Sequence, residues 1–288
     1  MSVAFGAVVL ADAGFSLHGW SMATAAAVSA ACALVGSFLV VRRMSLLGDA
    51  IAHAVLPGIA VAVLAGGRLG GPLVLAGAVA AALVTVWLTR ALHAAVGLAE
   101  DAGAGVVFTS LFALGVVIVT LFASQIDLDP QCVLFGILEL AAFDLVAIGP
   151  FMVPRALVTA MAVLGLVVAT LVATWRLQVF TAFDQAAARA AGVPVAAVTT
   201  LLLATTAVAT VAAFEAVGAV LVVAMLVVPA ATAELLVHRM PRVAVVAVAL
   251  AVAAACLGWA AAWWLNTSAA GMMAVVLGGF YGLAVLVA

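Results

Sequence analysis

The sequence predicts an all-α polytopic membrane protein, a helical bundle of about eight or nine transmembrane segments, and three observations predict it. Of 288 residues, 70% are hydrophobic and 7% charged, where a soluble domain of this size carries about a quarter charged residues. Mean hydropathy is +1.48. Uncharged runs near the roughly 20 residues that cross a bilayer recur along the whole chain. Residues 1–288 therefore read as one transmembrane domain, with no second, soluble domain.

Runs between charges place the spans in order near 20–41, 47–66, 72–89, 104–123, 151–174, 195–213, 216–235, 243–264 and 269–287. The first is the uncharged run from Trp20 to Val41, closed by Arg42 and Arg43. The second is interrupted by Pro57 and Gly58, which predicts a broken helix near Pro57. Trp87, Trp175, Trp263 and Trp264 mark ends of the third, fifth and eighth, since indole rings favour the membrane interface. Residues 1–19 precede all of these. They carry Asp12 and no basic n-region, so they do not read as a cleaved signal, and they lie along the surface or form a partial span.

Threading the spans alternately, with 42–46 in the cytoplasm, puts Arg42, Arg43, Arg90, Arg176, Arg189, Arg239 and Arg242 inside and only Arg68 and Arg155 outside. That satisfies the positive-inside rule, and the opposite orientation inverts it. All nine basic residues are arginine. Without a lysine the chain cannot build the phosphate-binding loop of ATPases. Cys32, Cys132 and Cys256 are scattered and form no metal-binding or disulfide pattern.

Two connections exceed a turn. The outer one, 124–150, carries Asp127, Asp129, Glu139 and Asp144 with no base. It reads as a solvated loop with a short interfacial helix, or else as a vestibule favouring cations. The inner one contains "FDQAAARAAGVPV". There Asp184 is a good N-cap, the alanines favour helix, Gly192 suits the left-handed C′ position and Pro194 forbids continuation. A short capped helix in a cytoplasmic loop is an interfacial element or a docking element for a cytoplasmic partner.

Ionisable groups inside spans are costly and usually face a cavity. Glu215 and Glu234 stand at predicted ends of the seventh span, where a carboxylate reaches water. Asp49 and His53 differ: four residues apart, they share one helix face. A carboxylate and an imidazole suit Zn²⁺, Mn²⁺ or Fe²⁺, though two ligands make an incomplete site. The alternative is a hydrogen-bonded pair that fixes helix packing.

At these residues the sequence resembles a known family. "LVGSFLVVRRMSLLGDAIAHAVLPGIAVA" resembles the opening of the ABC-3 family, the membrane permease subunits of ABC-type zinc, manganese and iron importers. "FDQAAARAAGVPV", "FEAVGAVLVVAMLVVPAATAELL" and "NTSAAG" are similar to later blocks of that family, in the same order, so the likeness covers roughly 25–287. Glu234 departs from it, standing where a neutral or basic residue is expected. The resemblance implies a permease of the bacterial cytoplasmic membrane that pairs with a second copy of itself, a homodimer carried on cytoplasmic ATPase subunits and fed by an extracellular metal-binding protein. It implies that Asp49 and His53 line the path of a transported divalent metal, and that 183–192, with Phe183, Asp184, Ala188 and Gly192, is the coupling helix. The chain is then no enzyme, binds no cofactor of its own and has no nucleic-acid partner. The rival reading is a proton-coupled secondary transporter using Asp49 and His53, which leaves the capped cytoplasmic helix unexplained. An intramembrane hydrolase finds no motif to support it.

Overall fold

The computed structural model describes residues 2–66, 72–97, 100–122, 144–148 and 151–287. Helix α1 (Ser2–Val41) closes in a Schellman-type cap: the Arg43 and Met44 amides donate to the carbonyls of Val40 and Leu39, with Arg43 at φ 60°. Helices α2 (Leu46–Ala54) and α3 (Leu56–Leu64) follow, separated by Val55, which keeps a right-handed helical backbone. Pro57 lies in the first turn of α3, where its missing amide hydrogen costs little. Then come α4 (Pro72–Val96) and α5 (Glu100–Leu121).

Strands β1 (Leu145–Ile148) and β2 (Phe151–Pro154) pair antiparallel. This corrects the expectation that a span begins at 151: the hairpin takes those residues, and the Arg155 amide donates to the Asp144 carbonyl at 2.8 Å to start the next helix. Short apolar strands flanking Gly149 and Pro150 are a turn signal that hydropathy does not weigh. Residues 123–143, which include Asp127, Asp129, Cys132 and Glu139 and where an interfacial helix is expected, lie outside the described residues. Helix α6 (Arg155–Phe183) runs past the boundary expected at 174. Helices α7 (Gln185–Ala190), α8 (Val195–Val217), α9 (Ala219–Leu236), α10 (Met240–Leu265) and α11 (Ala269–Val287) complete the chain.

Among the described residues, seven helices are long and apolar enough to cross a membrane: α4, α5, α6, α8, α10, α11 and, from His18 onward, α1. Helix α1 is the hub, packed on α6, α8, α9 and α10. Helices α2 to α5 make a second group, which α8 joins to the first by touching α2 and α4. The most apolar stretch of α1 is 78% buried, against 17% for α5, α6 and α11. Close approach rests on small residues, as membrane interiors require when lipid is as apolar as leucine. A Cβ at Gly36 of α1 would strike the Leu226 carbonyl of α9, and Gly58 and Gly77 meet where α3 crosses α4. The hydroxyls of Thr24, Ser29 and Ser37 donate to carbonyls one turn back, at 2.9, 2.6 and 2.7 Å, so none is left unsatisfied in an apolar interior.

Candidate functional site

Helix α2 carries both Asp49 and His53. It approaches α9 closely at Gly48, where a Cβ would lie 2.9 Å from Leu226 Cδ2. The His53 imidazole is half-buried and turned to α5, its centroid 6.2 Å from the Phe108 ring and 6.3 Å from the Phe112 ring. The Phe112 contact is edge-on, at an interplanar angle of 82°. One turn further, the Pro57 ring lies against Gly115 of the same helix, where a Cβ would come within 2.9 Å. The α2–α3 pair thus lies along α5 and presents His53 toward it. Asp49 occupies the preceding turn, and the placement of its side chain lies outside what is described, as does that of Glu215. Among the described residues no three His, Cys, Asp or Glu side chains gather. Glu234 is exposed near the end of α9. Gly58 sits inside α3, where its lack of a side chain serves the crossing with α4.

Between α6 and α8, α7 is capped at both ends. Asp184 adopts an extended backbone, φ −144°, and its Oδ1 accepts the Ala187 amide at 2.8 Å. At the far end the Gly192 and Val193 amides donate to the carbonyls of Arg189 and Ala188, with Gly192 at φ 80°. Phe183, just before the cap, is 64% exposed. Ala188 is fully buried, so its methyl faces the body of the protein. Every residue of α7 but Ala188 is exposed, as are Phe183 and Asp184 before it, so this segment offers a partner an open surface that Ala188 seats from beneath.

A third group was not legible as a site. Arg42, counted above only as an inside charge, is half-buried. Its Nη2 donates to Gln178 Oε1 at 2.8 Å, to the Gln178 carbonyl at 3.3 Å and to Thr181 Oγ1 at 2.6 Å. Its Nη1 donates to Thr199 Oγ1 at 3.1 Å. Gln178 and Thr181 end α6, Thr199 begins α8, and all three are buried. Gln178 also donates from Nε2 to the Val198 carbonyl at 3.3 Å, a second link between those helices. The available hint was a glutamine in "ATWRLQVFTAF", apolar on both sides of it.

With this geometry in hand, comparison with known proteins gives a consistent result. The ABC 3 transport family matches residues 15–288. The chain is 38% identical over 272 residues to the manganese transport system membrane protein MntD of Bacillus subtilis, covering 94% of this chain and 92% of that one. It is 35% identical over 263 residues to the zinc transport system membrane protein TroD of Treponema pallidum, covering 91% and 71%. Among solved structures, PsaBC from Streptococcus pneumoniae in complex with Fab matches with a TM-score of 0.75 and 26% identity, covering 92% of this chain and 90% of that one.

Proposed function

The chain belongs to the ABC 3 transport family, and from that premise we propose that it is the membrane permease subunit of an ATP-driven importer of divalent transition metal ions, manganese, zinc or iron. The carrying observation is similarity over nearly the full length to membrane proteins of manganese and zinc transport systems. Because the chain has no lysine for a phosphate-binding loop, ATP is hydrolysed on separate cytoplasmic subunits. A second permease copy, forming a homodimer, and an extracellular metal-binding protein complete the assembly.

Nine crossings fit this role. To the seven long helices we add α9, whose 18 residues extend about 27 Å, and the α2–α3 pair as one broken crossing. Residues 46–64 extend about 28 Å, close to the hydrocarbon thickness. The segment before Trp20 lies at the interface or crosses partially. Asp49 and His53 act as transient ligands while the metal, which is cargo, passes. Two ligands per chain suit a protein that must release what it binds, and two pairs facing across a dimer axis would make four. Pro57 and Gly58 mark the break beside this path, and 183–192 docks on the ATPase.

The test is metal content and uptake. Deleting the gene lowers cellular manganese, zinc or iron, and a plasmid copy restores it. In reconstituted vesicles, transport of the metal toward the side that carries the ATPase requires ATP there and survives a protonophore. Import that follows the proton gradient without ATP would replace this reading with the proton-coupled one.

A further inference from the structure

We propose that Arg42 is the positioning residue that carries displacement of the cytoplasmic segment to the helix bearing Asp49 and His53. The inference rests on the docking role of α7 proposed above. Helix α7 hangs between the end of α6 and the start of α8, so a push on it is felt at those two ends. The Arg42 guanidinium holds both: Gln178 and Thr181 on α6 through Nη2, Thr199 on α8 through Nη1. One rigid planar fork therefore spans the base of the moving segment.

The other side of Arg42 is a short, stiff connection to the site. It directly follows Val41, the last residue of α1, its own amide bonded to the Phe38 carbonyl at 3.1 Å. Residues 43–45, fixed by the capping bonds of Arg43 and Met44, lead directly into α2. Met44 is buried, so this turn is packed as well as hydrogen-bonded. Helix α2 also touches α8 directly. A shift of the α6 and α8 ends thus reaches Asp49 and His53 through one side chain and three residues of capped backbone.

Several features favour a relay over a plain surface charge. The four acceptor groups named are oxygens of Gln178, Thr181 and Thr199, reached through both terminal nitrogens of one planar group. Its place at the C-terminal ends of α1 and α6 favours the cation electrostatically. Arginine suits this by shape: a lysine ammonium is a compact point on a flexible stem and lacks the two spaced nitrogens that here reach α6 and α8 separately.

The experiment uses Arg42→Lys and Thr199→Val in the full permease–ATPase complex, with four readouts: permease in the membrane, co-purifying ATPase, ATP hydrolysis and metal uptake. Arg42→Lys keeps the charge and is expected to lower uptake per permease about tenfold, within the range seen for mutations in coupling elements. Hydrolysis and ATPase binding stay at wild-type levels, so the ions imported per ATP fall. Thr199→Val, which keeps its shape, lowers the same ratio less, and adds nothing in the Arg42→Lys background, because both remove one link. Unchanged uptake per permease overturns the proposal. So does loss of permease with normal uptake by what remains, which makes Arg42 only structural. Loss of ATPase from Arg42→Lys also overturns it, assigning Arg42 to the docking surface. The docking role is judged separately at Phe183, so failure of one reading is distinguishable from failure of the other.

Discussion

At the scale of single residues, the half-buried His53 faces the rings of Phe108 and Phe112 on α5, at 6.2 and 6.3 Å between centroids. An imidazole so placed offers a ring nitrogen, which is what a transient metal ligand needs. His53→Gln and Asp49→Asn are therefore expected to lower uptake per membrane-resident permease at least about tenfold, since even groups outside a ligand set change metal sites by that much. Amounts of folded permease remain near wild type. Near-normal specific uptake by both variants would remove the pair from the metal path. That these two residues share one helix was legible because spacing within a helix is local information. The Arg42 contacts were not: its partners lie 136, 139 and 157 residues away in sequence, and only the folded chain brings them together.

At the scale of elements, α7 shows what local chemistry can and cannot determine. Asp184 and Gly192 announce their roles in the sequence because a cap is made within four residues of itself. Which side of the helix faces outward depends on α6 and α8, and Ala188 turned out to face in. The exposed anchor is Phe183, an aromatic ring at the base of the segment, the kind of side chain that dominates interfaces. Phe183→Ala is expected to cut the ATPase recovered with the permease at least about tenfold, a loss of some 1.4 kcal/mol that is modest for a hot spot. Uptake should fall in parallel while the permease stays in the membrane. Full recovery of the ATPase with Phe183→Ala would end the docking role. The β1–β2 hairpin was hidden for the opposite reason: its residues are as apolar as a span, and pairing is a relation between strands that hydropathy does not report.

For the molecule as a whole, hydropathy found the long helices but could not rank them. The α1 span has a hydropathy of 2.1 and α6 of 2.5, yet α1 is the enclosed hub and α6 the exposed rim. Lipid tails and protein interior look alike to an apolar side chain, so what separates the two helices is residue size. Alanine, serine and glycine dominate α1 between Met22 and Ser37, whereas α6 carries exposed Val168 and Val172. The same logic predicts that Gly58→Val, which drives a side chain into the α4 backbone at Gly77, destabilises the permease by at least about 1–3 kcal/mol. Gly105→Ala on α5, where nothing lies within 4 Å of the added carbon, leaves the melting temperature unchanged or slightly raised. Thermal unfolding in detergent, followed by tryptophan fluorescence, compares the two, and equal melting temperatures would contradict the close crossing.

The enclosed position of α1 also has a consequence for biosynthesis. The ribosome makes this helix first, yet its neighbours α6, α8, α9 and α10 come later, the last of them ending at Leu265. At the usual elongation rate of about 5–20 residues per second, α1 waits in the bilayer for on the order of ten to forty seconds before its groove is filled. Thr24, Ser29 and Ser37 spend that wait bonded to their own helix, so the nascent segment needs no partner to keep its hydroxyls out of contact with lipid. Arg42, whose acceptors lie on α6 and α8, follows the end of the helix, where water at the membrane surface can hold it until those helices arrive.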